Sequence, residues 1–341
     1  MKTVVLDQPG RFSLIETPAA SSPGPDEALV RVRRVGICGT DLHAFEGTQP
    51  YFSYPRVLGH ELAVEVVATG SRATADGPRI GDVCSVEPYL NCGRCVACRR
   101  GKTNCCEHLQ TLGVHTDGGL RDAFVVPVTK LHRAPGLLLD HLALVEPLAI
   151  GAHAVRRAVL IPGEAALVIG AGPIGLATMQ FARLDGARVI VMENNERRAT
   201  FAHHIAGAEQ IIDPRDRPVD RLRELLNGEL PVTVFDATGN ARSMMQAPQY
   251  LANGGTLVFV GLVQAQLSFD DPEMHRREVT LLRSRNATGA DFARVIADLA
   301  AGRIDLAPWI THRATPEAMI GEFAGWLNPE TGVVKALIEW A

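Results

Sequence analysis

Residues 164–193 read EAALVIGAGPIGLATMQFARLDGARVIVME. An apolar run, Ala165 to Ile169, meets the turn Gly170-Ala-Gly172-Pro-Ile-Gly175. A helical stretch follows, stops at Gly186, and gives way to a second apolar run ending at Met192. Strand, glycine turn, helix and strand is the unit of a parallel sheet covered on both faces. Gly170 permits the tight turn, Gly172 lets the backbone approach a pyrophosphate, and Gly175 allows close helix–strand packing. Pro173 and Ile174 open the helix, whose first amides face the phosphates. Glu193 ends the second strand, 18 residues beyond Gly175. A carboxylate there bonds both ribose hydroxyls and repels a 2′-phosphate, so NAD is expected over NADP. Arg198 is a candidate neighbour of the adenine. Two further strands, in Val232-TVFDATG and Gly255-TLVFVGL, end at loops carrying Thr238 and Gly261. Ligands of open parallel sheets sit at such strand ends.

The rest of the chain is organised around this unit. With 341 residues, two domains are expected. Strand-like segments broken by Pro and Gly fill the first part: Ala28-LVRVRRV-Gly36, Glu61-LAVEVVATG and Gly81-DVCSVEPY. The strand–helix alternation then holds until about residue 287. A helix, Asp291-FARVIADLAAG, and a strand near Lys335 close the chain. The expected division is a β-rich domain of residues 1–149 with 288–341, and a dinucleotide-binding domain of residues 150–287. Net charge is −4 and no basic block is interleaved with aromatics, so no nucleic-acid partner is expected. No apolar run reaches spanning length, and Met1-Lys2 leads straight into strand-like VVL, so neither a membrane partner nor a secretory leader is expected. Seven clustered cysteines fit zinc-holding thiolates in a reducing cytoplasm better than a secreted disulfide framework.

Four of these cysteines, Cys92, Cys95, Cys98 and a fourth at Cys105 or Cys106, lie in NCGRCVACRRGKTNCCE. Four thiolates in one short loop suit a closed, tetrahedral structural zinc site within a lobe of about residues 88–108. A second set of ligand types is more dispersed: Cys38 and His60-Glu61. A catalytic zinc takes three protein ligands and keeps one position open. Cys38 and His60 are the natural first two. The third is Glu61 or a distant carboxylate, of which Glu146 in Val-Glu-Pro-Leu stands out, because an unpaired carboxylate in an apolar stretch is costly.

Together these motifs resemble the zinc-containing medium-chain alcohol dehydrogenases, specifically the polyol and threonine dehydrogenase branch. The resemblance rests on Cys38 with Thr40 and His43, Gly59-His60-Glu61, the four cysteines and Gly170 to Gly175, and it spans essentially the whole chain. It implies a Rossmann domain joined to a GroES-like catalytic domain, two Zn2+ per subunit and NAD. Its spacing selects Cys106 as the fourth cysteine ligand. In that branch Glu61 or Glu146 completes the catalytic zinc sphere, and the two can exchange. Thr40 would accept the substrate's proton and pass it, through the cofactor ribose, to His43 at the surface. Thr48–Glu61, Gly101–Glu107, Gly113–Gly119, His153–Ala158 and Ser284–Thr288 are similar to the bacterial L-galactonate 5-dehydrogenases, which implies oxidation of L-galactonate to D-tagaturonate. A cation is then needed for the carboxylate; Arg285 is the first candidate, able also to pair with Glu146, while Tyr51 and Phe52 are candidates for the pocket wall.

Other polyols or L-threonine are rival substrates, and a non-catalytic nucleotide-binding protein is a rival of another class. The expected assembly is a homo-oligomer, tetramer or dimer, with Thr256-LVFVGL as an apolar edge strand able to pair across a two-fold axis.

Overall fold

The computed structural model describes residues 1–50, 52–72 and 77–340. The chain divides into two compact units, residues 1–146 with 288–341, and residues 147–287.

The second unit holds a six-stranded, fully parallel sheet. Its strands, in spatial order, are Gln210–Ile212, Arg188–Met192, Ala165–Ile169, Thr233–Asp236, Thr256–Phe259 and Thr280–Arg283. Numbered along the chain this is the order 3-2-1-4-5-6 of a doubly wound dinucleotide-binding sheet. The order reverses between Ala165–Ile169 and Thr233–Asp236, so the loops after Ile169 and Asp236 open apart at the carboxyl edge. Leu167, Val234, Leu257 and Phe259 are buried on one side of the sheet against helical residues such as Leu222, Met244 and Tyr250.

The expected edge strand is corrected here. Thr256–Phe259 is an inner strand, paired on both sides, and the edge is Thr280–Arg283. An apolar run reads the same whether one or two neighbours cover it, so the residues alone did not separate the two.

The first unit is built on a seven-stranded sheet. Along its path lie Ile310–Ala314, Lys335–Glu339, Glu27–Ile37, Glu61–Thr69, Val83–Val86 and Leu131–Arg133, and Ala123–Pro127 pairs with Glu27–Ile37 from the side. Alternation along Glu27–Ile37 buries Ala28, Val30, Val32 and Val35 against Leu62, Val64 and Val66 of the next strand. A C-terminal helix, Pro316–Trp326, adds Met319, Phe323 and Trp326 to this core. Its Thr315 caps the first turn by accepting from the Ala318 amide at 3.2 Å. The last strand is inserted beside Glu27–Ile37, with Ala336 opposite Ile37, and Glu61 lies opposite Gly36 on the other flank. Three strands distant in sequence thus meet at the carboxyl end of Glu27–Ile37.

Candidate active site

Beyond Ile37 the chain turns into an eight-residue helix, Gly39–Glu46. Cys38 is its cap and Asp41 its third residue. Asp41 Oδ2 accepts from the Cys38 amide at 2.9 Å and satisfies one of the helix's open donors. Its other oxygen, Oδ1, stands 3.6 Å from His60 Nδ1. One buried carboxylate therefore fixes the cysteine's backbone and faces the histidine ring, an arrangement typical behind metal-ligating imidazoles. Burial raises the Asp41 carboxyl's affinity for its proton, and His60 opposes this. Burial works against charge on His60, but Asp41, Cys38 and Glu146 around it prevail and hold the imidazole well above its ordinary value.

Cys38, His60 and Glu61 each bring one ligand atom to within 4.8 Å of the others. His60 and Glu61 are buried and Cys38 is half-buried. Glu146 is 2% exposed. Its Oε1 accepts a hydrogen bond from the Tyr89 hydroxyl, while its Oε2 is buried without a partner among the described residues. Burial pushes the Glu146 carboxyl up to about 7. The charge near Cys38 and His60 is therefore expensive to hold, and a divalent cation among these groups would reverse that. Thiolate, imidazole and carboxylate are the donor set of a catalytic zinc, and the unpartnered oxygen fits it.

Sequence reasoning missed Lys335. It is 2% exposed, and its ammonium donates to Glu61 Oε1 at 2.6 Å, to Glu61 Oε2 at 2.8 Å and to the Ile37 carbonyl at 3.1 Å. Burial disfavours this ammonium, yet Glu61 and Cys38 more than offset it and raise its pKa. Tyr89 was missed too. Neither carries a local signal, since Lys335 meets Glu61 across strands and Tyr89 meets a carboxylate on a helix 57 residues away.

On the same short helix, Thr40 is half-buried in the first turn and His43 is exposed. His43 Nδ1 lies 3.5 Å from Glu46 Oε2 and 3.4 Å from Thr48 Oγ1. Residues three apart share a helix face, so half-buried Thr40 and exposed His43 lie on the same side of this helix. Phe52 packs edge-on to Tyr54, with centroids 4.9 Å apart, and against the core. Tyr51 lies outside the described residues. Arg285 is exposed and already has an interaction partner.

In the cysteine lobe, the sulfurs of Cys92, Cys95, Cys98 and Cys106 lie within 4.8 Å of one another. A zinc tetrahedron with bonds of about 2.3 Å has edges of about 3.8 Å. Cys106 Sγ accepts from the amides of Cys92 and His108, both at 3.3 Å. Backbone donors to Cys95, from Cys98 first, pull its thiol down to about 6. Amides aimed at sulfur favour thiolate, the form that binds metal. Cys105 is exposed and is not one of the four clustered cysteines. Cys84 is buried in the sheet, and burial pushes its thiol up to about 12, which makes it an inert core residue.

The second unit carries a cavity of about 760 Å³ at the carboxyl edge of its sheet. Gly170, Gly172, Glu193, Arg198 and Thr238 line it. Gly170 has φ +92°. A Cβ on Gly175 would lie 1.8 Å from the Gly170 carbonyl, whereas one on Gly172 would meet no atom within 4 Å. Gly172 therefore faces open space at the start of the twelve-residue helix Pro173–Leu184, where phosphate oxygens would approach. Pro173 is that helix's first residue and Ile174 its second. Glu193 is tied to the glycine turn: Oε2 accepts from Ala171 at 2.8 Å, and Oε1 accepts from Asn194 at 2.8 Å and Asn195 at 2.9 Å. Thr238 donates to Asp236 at 2.6 Å, and its methyl would be the nearest contact, 3.1 Å away, for a Cβ on Gly170. Gly261 is not among the cavity-lining residues; its place is against Gly239, whose amide a Cβ there would meet at 2.4 Å. Arg215, Arg217 and Arg242, which sequence reasoning did not single out, also line the cavity.

Residues 24–136 match the alcohol dehydrogenase GroES-like domain, and residues 173–301 match the zinc-binding dehydrogenase domain. The chain is 46% identical to the L-galactonate-5-dehydrogenase of Escherichia coli K12, over 85% of each chain. This chain belongs to the zinc-binding alcohol dehydrogenases. The dehydrogenase is also 32% identical to the 2-dehydro-3-deoxy-L-galactonate 5-dehydrogenase of Pseudoalteromonas atlantica, over 96% of this chain and 95% of that one. Among solved structures it is similar to an alcohol dehydrogenase, rspB, of E. coli CFT073 complexed with NADH, with TM-score 0.92, 28% identity and coverage of 100% and 99% of the two chains. It is an oxidoreductase using zinc and a nicotinamide cofactor, and none of its described helices is long and apolar enough to cross a membrane.

Proposed function

We propose that this dehydrogenase oxidises a secondary alcohol of a sugar acid or polyol with NAD, and that its substrate is L-galactonate, converted at C5 to D-tagaturonate. The 46% identity to an L-galactonate-5-dehydrogenase, spread over 85% of both chains, carries the substrate. The clustered ligand atoms of half-buried Cys38 and buried His60 and Glu61, with the buried carboxyl of Glu146 as a further candidate, support the chemistry.

Cys38, His60 and one glutamate would hold the catalytic zinc, and Cys92, Cys95, Cys98 and Cys106 the structural one. When bound, the catalytic ion supplies Lewis acidity that lowers the pKa of an alcohol, and NAD supplies the hydride acceptor. The chain's own residues do the rest. Asp41 keeps the Cys38 turn and the His60 ring in place. Thr40 Oγ1 accepts the hydrogen bond of the substrate hydroxyl and relays the proton by giving up its own, and exposed His43 is the group that would pass it to water. Gly172 and the amides of Pro173–Leu184 would receive the pyrophosphate, and Glu193 favours NAD because its negative charge opposes a 2′-phosphate. For the substrate carboxylate, Arg285 is the proposed partner. We also read the enzyme as a homo-oligomer formed through the sheet edge Thr280–Arg283, with Leu281 40% exposed there. Its free thiolates suit the cytoplasm.

The test is NADH formation across a panel of aldonates, polyols and L-threonine. L-Galactonate should give the highest kcat/KM. If sorbitol or L-threonine exceeds it by a wide margin, the substrate assignment is wrong.

A further inference from the structure

Four arginines, Arg198, Arg215, Arg217 and Arg242, line the cofactor cavity against two carboxylates, Glu193 and Asp220. The pyrophosphate of NAD is met by the glycine turn and the helix amides, which leaves this surplus of positive charge unused. Arg217 faces Asp216 and Asp220, at 3.9 and 3.6 Å. Arg198 and Arg242 are exposed, and their guanidinium groups have no partner among the described residues. Arg215 is held in place. Asp213 accepts from its Nε at 2.9 Å and from its Nη2 at 2.6 Å, and Nη2 also donates to the Asn194 carbonyl at 3.3 Å, leaving Nη1 unbonded. Glu193 and Asp213 follow the ends of neighbouring parallel strands, where Met192 lies opposite Ile212. Arg215 is therefore fixed beside the residue that follows Glu193, where the adenosine ribose is expected. Glu193 itself is already engaged: its two oxygens accept from the amides of Ala171, Asn194 and Asn195. A carboxylate has roughly four acceptor positions, so about one is left for a ribose hydroxyl, and the three N–H dipoles offset part of its charge.

We propose that Arg215, with Arg198 on the helix that follows Glu193, forms a subsite for a phosphate on the adenosine 2′ oxygen, so that the enzyme uses NADP as a second coenzyme. This rests on the reading of the cavity as the dinucleotide site. Glu193 keeps NAD the better coenzyme, and the arginines narrow its margin. A guanidinium anchored from behind by a carboxylate presents its free N–H groups to a phosphate with little further ordering. The reaction is otherwise unchanged: a hydride passes from the carbinol carbon to the nicotinamide, the alcohol becomes a ketone, NADPH forms in place of NADH, and the hydroxyl proton leaves to water.

Titration calorimetry of the full-length enzyme with NADH and with NADPH tests this without reference to the alcohol. NADPH should bind no more than about 100-fold more weakly than NADH at low ionic strength. A wider gap overturns the proposal and leaves the dinucleotide site standing. Arg215→Gln should weaken NADPH by about tenfold and NADH by less than about twofold, because only NADPH carries the phosphate that this side chain meets. An equal loss of both coenzymes would assign Arg215 to a group they share and overturn the proposal. The Arg215 side chain is 71% exposed, so the variant should fold and melt like the wild type. Added salt should weaken NADPH more steeply than NADH, and parallel salt dependence would also count against the subsite. If neither coenzyme binds, the cavity is not a dinucleotide site and both readings fall together.

Discussion

Replacing Gly172 and Gly175 separately by alanine separates binding from packing within one glycine turn. At Gly175 the added methyl would sit 1.8 Å from the Gly170 oxygen and 2.9 Å from its carbonyl carbon. An ordinary carbon–oxygen contact needs about 3.3 Å, so something must move by about 1.5 Å. Little there can yield. Gly170 is pinned by its N–H, which donates to the Met192 carbonyl at 2.9 Å, and Ala171 by its N–H, which donates to Glu193 Oε2 at 2.8 Å. The helix start must shift instead, at a cost of roughly 1–3 kcal/mol in stability, as for other overpacked sites. The amides aimed at the cofactor move with it, so NADH affinity should fall by about 10–100-fold as well. At Gly172 the methyl meets nothing within 4 Å, and the backbone, at φ −73° and ψ 176°, already suits alanine. Stability should change by no more than about 1 kcal/mol, the cost of alanine at a helix cap. Affinity should still fall by about tenfold or more, because the methyl occupies space the pyrophosphate needs. Urea unfolding of the free enzyme and NADH titration calorimetry give both numbers for each variant. Gly172→Ala binding NADH within about twofold of wild type would refute the placement of the cofactor. Equal destabilisation by both variants would refute the division of roles.

Further outcomes follow from the same geometry. Cys106→Ser should lose one zinc per chain and lower Tm by about 5 °C or more, while exposed Cys105→Ser should leave both unchanged; metal analysis with thermal melting decides it. His43→Asn should lower kcat by about tenfold near pH 7 with Tm unchanged, because the side chain is 61% exposed; steady-state kinetics and a melt measure the two. Asp140 is half-buried, and although burial opposes its charge, Arg313 at 2.6 Å and Arg34 at 3.0 Å hold its carboxyl below the usual range. A folded pKa below the unfolded one means stability present above about pH 4 and lost as pH falls through the folded pKa. Asp140→Asn should therefore cost up to about 1 kcal/mol at pH 7, discounted for solvent, and the difference from wild type should vanish in acid; urea titrations across pH check it.

The strand–glycine turn–helix unit at 164–193 was legible from residues alone because each of its signals is local. Turn chemistry, helix periodicity and the length of an apolar run all act within a few residues. The cysteine lobe was legible for the same reason: four sulfurs close in space are four sulfurs close in sequence. Choosing Cys106 over Cys105 was harder. Neighbouring positions differ by which side of the backbone they face, and the cluster contains the buried Cys106 while Cys105 is exposed.

Motif spacing in this sequence determined the classes of site: a thiolate and an imidazole with carboxylates as candidate ligands in one unit, and a nucleotide-binding turn in the other. Only the tertiary structure decided how those carboxylates are held. Lys335 is 274 residues from Glu61, and Tyr89 is 57 from Glu146. The strand order that joins Lys335 to Glu61 places the last strand of the chain next to Glu27–Ile37. A buried charge answers to whatever sits within a few ångströms, regardless of chain position. Its partner is a property of strand order and of one glycine, Gly36, that leaves the way open between them.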